Sequence, residues 1–162
     1  MRVLIITSDR IAAAVLTSLI ERAGHTADIA LDAISGREKY LGLTPQLVVM
    51  SWDGNDNAVR ELCAAVRGQD NRYYSYLFAM SSRLEREDRL AAMDAGVDDF
   101  LQFPLDSAEV FARIRVAERI VSMHAEIHAR TTEIENMARD MEFQNINLAE
   151  MLKCIQHANI RF

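Results

Sequence analysis

Hydroxyl and acidic side chains gather where the apolar runs of this chain end. Thr7, Ser8 and Asp9 follow VLII (3–6), Ser51, Trp52 and Asp53 follow LVVM (47–50), and Ser81 follows YLFAM (76–80). Carboxylates brought together at such a place could hold a hard cation through oxygen ligands. Here hydroxyls stand nearest to each run, and the acids Asp9, Asp53 and Asp56 lie further along. His124 and His128 are four residues apart in a helical pattern and share a face, a spacing that can bind a metal. No third ligand is obvious, so they read as surface histidines. No P-loop, GxGxxG, CxxC or nucleophile elbow occurs. The residues as they stand call for no metal and no cofactor.

The elements that must position these groups alternate. VLII (3–6), TADIAL (26–31), QLVVMSW (46–52), Tyr76–Ser81 and Asp99–Phe103 read as strands. Helical spacing fills 10–23, 33–42, 58–67 and 85–95, with Gly24, Gly42, Gly68 and Gly96 at or near their ends. Strands alternating with helices predict an α/β fold, a five-stranded parallel sheet covered on both faces. In such doubly wound sheets the working site lies beyond the carboxyl ends of the strands. That places Thr7–Asp9, Ser51–Asp56, Ser81–Arg83 and Phe103–Pro104 where chemistry belongs.

The remainder has a different pattern. After Pro104 neither Pro nor Gly occurs again. Asp106 or Ser107 is positioned as the N-cap of a long helix. Counting sevens from Ile120 gives Ile127, Ile134, Met141, Leu148 and Ile155, all apolar; counting from Met123 gives Arg130, Met137, Gln144, Met151 and Ala158. These rows are the a and d positions of a heptad, and Ile at several a positions favours two parallel strands. The seam predicted for dimerisation is Ile120, Met123, Ile127, Ile134, Met137, Met141, Leu148, Met151 and Ile155. Residues 1–117 therefore read as one domain and 118–162 as a coiled-coil helix continuous with its last helix.

Charge divides the same way. Residues 1–106 carry 16 acids against 11 bases, and 107–162 carry 8 against 7, within a net charge of −6. An acidic balance argues against nucleic acid, whose binders need a basic face. Two cysteines 91 residues apart suit a reducing cytoplasm rather than a disulfide framework. No apolar run approaches the roughly 20 residues that span a bilayer, so no membrane contact is expected.

Three stretches carry a family resemblance. DAGVDDFLQFPLD (94–106) resembles the stretch around the last strand of bacterial two-component response-regulator receivers, usually AGADDYLTKPFD. MSSR (80–83) resembles the end of their fourth strand, and LVVMSWDGNDNAVRELC (47–63) fits their third strand and third helix. The resemblance covers residues 2–117 and implies the flavodoxin-like, CheY-like receiver fold. In that family an aspartate after the third strand accepts phosphate, an acidic pair after the first strand helps it hold Mg²⁺, and a Thr or Ser and a Lys complete the site. Matched residue by residue, Ser51 takes the phosphoacceptor position, Thr7 and Ser8 the acidic pair, and Phe103 the Lys. Ser81 alone keeps the family's chemistry, and Phe100 matches its rotamer-switching aromatic. A hydroxyl forms no acyl phosphate, and without carboxylates little would hold Mg²⁺.

The resemblance thus implies a pseudo-receiver, not an enzyme, whose partners are a second copy, other signalling proteins or a downstream output domain. Phe103 is expected to plug the vacated pocket and Phe100 to be buried. The tail also resembles the linker before diguanylate cyclase or serine phosphatase outputs, so the regulatory part of such an enzyme is the alternative. A third possibility is a site rescued by Asp9 and Asp53, against which Asp9 reads as a helix cap and Asp53 and Asp56 as loop acids.

Overall fold

A computed structural model describes residues 1–53, 56–68, 73–83 and 85–159. The chain divides into two compact units, Met1–Ala125 and Glu126–Phe162. In the first, β1 (Arg2–Ile6), α1 (Arg10–Arg22), β2 (Thr26–Ala30), α2 (Ala33–Leu43), β3 (Leu47–Ser51), α3 (Asn57–Arg67), β4 (Tyr76–Ser81), α4 (Arg86–Asp94) and β5 (Asp99–Gln102) follow in order. The helix α5 (Ser107–Asn159) begins in this unit. The strands form one parallel sheet in the order β2-β1-β3-β4-β5, the doubly wound arrangement expected.

Strand side chains alternate between the two faces, and both faces are apolar. Leu4, Ile6, Val48, Met50, Leu77 and Ala79 join Tyr40, Leu62, Cys63, Val66 and Ala92 on the α2–α4 side. Val3, Ile5, Leu47, Val49, Phe78 and Met80 join Leu16, Leu19, Ile20, Val110, Ile114 and Ala117 on the α1–α5 side. This is why the central strands read as near-continuous apolar runs. Each buried Val, Leu, Ile, Phe or Met contributes about 1.5–3 kcal/mol, and packing against this core supports α2, whose own apolar pattern is weak.

One helix end differs from expectation, and two fall where the sequence places them. The helix α2 passes through Gly42 and stops at Thr44, which takes the left-handed conformation at φ 44°. Ala23 caps α1, and Gly24 follows it at φ 84°. Asp106 rather than Ser107 caps α5, its Oδ1 accepting from the Glu109 N–H at 2.8 Å. Gly96 is required twice over. Its φ is 99°, and a Cβ there would lie 2.9 Å from Arg67 Cγ.

In the second unit, α5 is helical through Asn159. Met123 in the first unit and Ile127, Ile134, Met137, Met141, Leu148, Met151 and Ile155 in the second are all more than half exposed. Ile120 differs from the rest of the seam, because it is half-buried against the α1–α5 side of the core.

Candidate functional site

The sheet order reverses between β1 and β3, so loops leaving these two strands diverge and open a crevice. Ile6 pairs with Met50 in register, which sets Thr7 beside Ser51. A cleft of about 300 Å³ opens there, lined by Thr7, Ser8, Asp32, Ser51, Asp53 and Asp56 together with apolar neighbours. The Ser51 hydroxyl donates to Thr7 Oγ1 at 2.8 Å, and the Asp9 N–H donates to the same oxygen at 3.2 Å. Thr7 is only 3% exposed, whereas Ser8 and Ser51 reach solvent.

The acids around this cleft are engaged by backbone. Asp9 Oδ1 accepts from the N–H groups of Ile11 and Ala12 at the start of α1. Asp32 forms a capping box with Ser35 on α2, and Asp56 caps α3 through Ala58 and Val59. Asp53 Oδ1 accepts from the Asp56 N–H at 3.0 Å. Hydrogen bonds from the Ser35 N–H and hydroxyl hold Asp32 below the ordinary carboxylate value. A carboxylate at a helix N-terminus satisfies otherwise unpaired N–H groups and meets the positive end of the helix dipole. Among the described residues, no three His, Cys, Asp or Glu side chains gather where they could hold a metal ion.

The other positions lie apart from the Thr7–Ser51 pair. The Ser81 hydroxyl donates to Arg83 O at 2.8 Å and accepts from the Arg83 N–H at 3.2 Å, so it closes its own loop. Phe103 does not line the cleft. It packs half-buried on the α1–α5 side, because the chain turns there into the cis Phe103–Pro104 bond and α5. Phe100 is half-buried too, packed on the α2–α4 side with the Arg89 guanidinium 5.8 Å from its ring centre. Trp52 is buried in the α2–α4 core, and its backbone N–H donates to Met80 O at 2.8 Å.

The residues that the sequence reading gave no role meet at the opposite end of the strands. Asp98 Oδ2 accepts from Arg67 Nη2 at 2.6 Å and from the Leu77 N–H at 2.7 Å, while Oδ1 accepts from the Tyr74 hydroxyl. Arg67 also donates to Gly96 O and Ser75 O. Burial raises the Tyr74 phenol well above its ordinary value, and the hydrogen bond to Asp98 adds to this. The Tyr74 ring stacks on His124 at 4.3 Å and 10°, and His124 itself is exposed at the surface, as read from the sequence. Asp99, the second acid of DAGVDDF, binds Arg113 of α5 through both oxygens at 2.6 Å. The signal that pointed here was the adjacent acid pair itself.

The geometry finds its likeness among signalling proteins. Solved structures share the fold: a two-component response regulator from Clostridium difficile superposes with a TM-score of 0.65 at 23% identity, covering 74% of this chain and 96% of that one. This chain has the receiver fold of response regulators. The chemotaxis protein CheY4 of Vibrio cholerae gives a TM-score of 0.64 at 14% identity over 72% of this chain and 97% of its own. In sequence the chain is 29% identical to the transcriptional regulatory protein TcrA of Mycobacterium tuberculosis over 124 residues, 73% of this chain and 46% of TcrA. It is 25% identical to the DNA-binding dual master transcriptional regulator RpaA of Synechocystis over 144 residues, 89% of this chain and 56% of RpaA. No family model matches.

The chain thus spans about half the length of these curated relatives. They are named as transcriptional regulators, not as cyclases or phosphatases. RpaA is named as DNA-binding, which stands against the expectation of no nucleic-acid partner. The acidic charge describes this chain's own surface and says nothing of what other segments of a longer protein contact. Among the described residues no helix is long and apolar enough to cross a membrane.

Proposed function

We propose that the chain is a non-catalytic pseudo-receiver of two-component signalling, working in the cytoplasm. It relays signals by protein contacts without aspartate phosphorylation, and it dimerises through a parallel coiled coil within 118–162. One observation carries the reading. At the β1–β3 crevice the nearest side chains are Ser51 and Thr7, hydrogen-bonded to each other at 2.8 Å. A serine ester of phosphate lacks the lability of an acyl phosphate, and two neutral hydroxyls supply none of the charge that holds a hard cation.

The helix supports the second half. A row of exposed Ile, Met and Leu at heptad spacing is the pattern that burial in a partner helix stabilises. Its partners are a second copy and other signalling proteins, or an output segment of a longer protein; contact with DNA would belong to such a segment.

The test is incubation with Mg²⁺ and a small phosphodonor, read by intact mass, with beryllofluoride binding read by the fluorescence of Trp52. The expected result is no adduct and no saturable change. A covalent phosphoryl group together with saturable Mg²⁺ binding overturns the reading and favours a site rescued by Asp9 and Asp53.

A further inference from the structure

The second unit carries an apolar pair that the heptad seam does not use. Phe143 is 65% exposed and Ile146 53% exposed. At 3.6 residues per turn they sit on the side of α5 away from the row Ile134, Met141 and Leu148, at c and f positions of the heptad. A coiled coil closed through its a and d rows leaves c and f facing water, where large apolar side chains gain nothing.

The charges around this pair are arranged by sign. Arg139 lies four residues before Phe143, and Glu150 lies four residues after Ile146. Glu135 and Lys153 lie one turn further out on a common flank. All four are exposed, and no ion pair involves any of them among the described residues. Two copies can meet on this face in two ways. Side by side and parallel, Arg139 would oppose Arg139 and Glu150 would oppose Glu150. Antiparallel about a two-fold axis between Phe143 and Ile146, Arg139 meets the second copy's Glu150 and Glu135 meets its Lys153. Symmetry repeats both contacts, and each Phe143 packs on the other copy's Ile146. A self-complementary patch of this kind is what an isologous two-fold contact requires.

We propose that this face docks on a second copy of itself, antiparallel, through Phe143 and Ile146 and the Arg139–Glu150 and Glu135–Lys153 pairs. The contact does not depend on the a/d seam. Its consequence does: where the parallel dimer proposed above has formed, each dimer presents this face twice, on opposite sides, so the faces join dimers into species of four chains and more. The pairs are exposed, so the contact is weak and falls off with salt.

The test is sedimentation velocity on the full chain over a wide concentration range at low and high salt. The expected result is a two-chain species that converts to four chains and then to larger species as concentration rises, less readily at high salt. Phe143→Ser with Ile146→Ser removes the four-chain species and keeps the two-chain one. Arg139→Glu and Glu150→Arg each weaken the conversion by on the order of tenfold, since each reversal turns two attractive contacts repulsive. The two reversals together restore it. In a Cys154→Ser background, Arg139→Cys cross-links to Glu150→Cys of another copy and not to itself.

Ile127→Asn with Ile134→Asn separates this proposal from the parallel dimer. Those changes leave antiparallel pairs that Phe143→Ser with Ile146→Ser then dissolves. The proposal is overturned if the chain never exceeds two copies and those two are insensitive to Phe143→Ser, which leaves the face to a different protein. It is equally overturned if the four-chain species survives that substitution, or if the double charge reversal is as weak as the single ones.

Discussion

The hydroxyl of Ser51 donates to Thr7 Oγ1 at 2.8 Å, joining the carboxyl ends of β3 and β1 where the sheet reverses its order. Neither oxygen carries charge, and the backbone N–H of Asp9 also donates to Thr7. Ser51→Ala is expected to cost about 0.5–1.5 kcal/mol, the net worth of one hydrogen bond, read as a lower urea midpoint. Ser51→Asp alone should gain no Mg²⁺ affinity at millimolar concentration, because one carboxylate lacks partners. Thr7→Asp, Ser8→Asp and Ser51→Asp together should bind it saturably, as the single tryptophan, Trp52, would report.

Arg67 and Asp98 tie the end of α3 to the start of β5. Their side chains are only 27% and 19% exposed, so solvent screens the pair little. Arg67→Ala leaves Asp98 without its cation and frees the carbonyls of Ser75 and Gly96. The expected loss is about 2–4 kcal/mol, measured by chemical denaturation. Tyr74→Phe removes one hydrogen bond but keeps the ring, and should cost about 1 kcal/mol.

The two cysteines should differ in reactivity. Burial pushes the Cys63 thiol up from 9.0 to about 11, whereas Cys154 is exposed. At pH 8 a thiol reagent should label one site per chain quickly and the second only on unfolding. The folded thiol ionises later than the unfolded one, so its contribution to stability is complete below pH 9.0 and is lost as pH rises towards about 11. Cys63→Ala should flatten stability across that alkaline window in denaturation curves taken at each pH.

Ile127 and Ile134 are 60% and 66% exposed in the single chain. Ile127→Asn with Ile134→Asn should raise the dissociation constant of the parallel dimer by at least about a hundredfold, since two buried Ile per chain become polar. Light scattering on the full chain checks this. The circular dichroism of the receiver should be unchanged, because neither residue touches its core.

Sequence alone determined the order of strands and helices, since apolar periodicity is set by neighbours along the chain. It also determined that carboxylates are missing from Thr7, Ser8 and Ser51, and it exposed the heptad rows of α5. Residue type and spacing suffice for these. The partner of each polar group is another matter, because it depends on which loops the sheet brings together. Asp9 is the helix cap its place in the sequence suggested, but Asp32 and Asp56 turned out to be helix caps lining one cleft, Phe103 left that cleft for the α1–α5 side, and Tyr74 reached across to stack on His124. A hydrogen bond or ring contact needs its partner within a few ångströms. Between residues as distant in sequence as Arg67 and Asp98, only the folded chain supplies that.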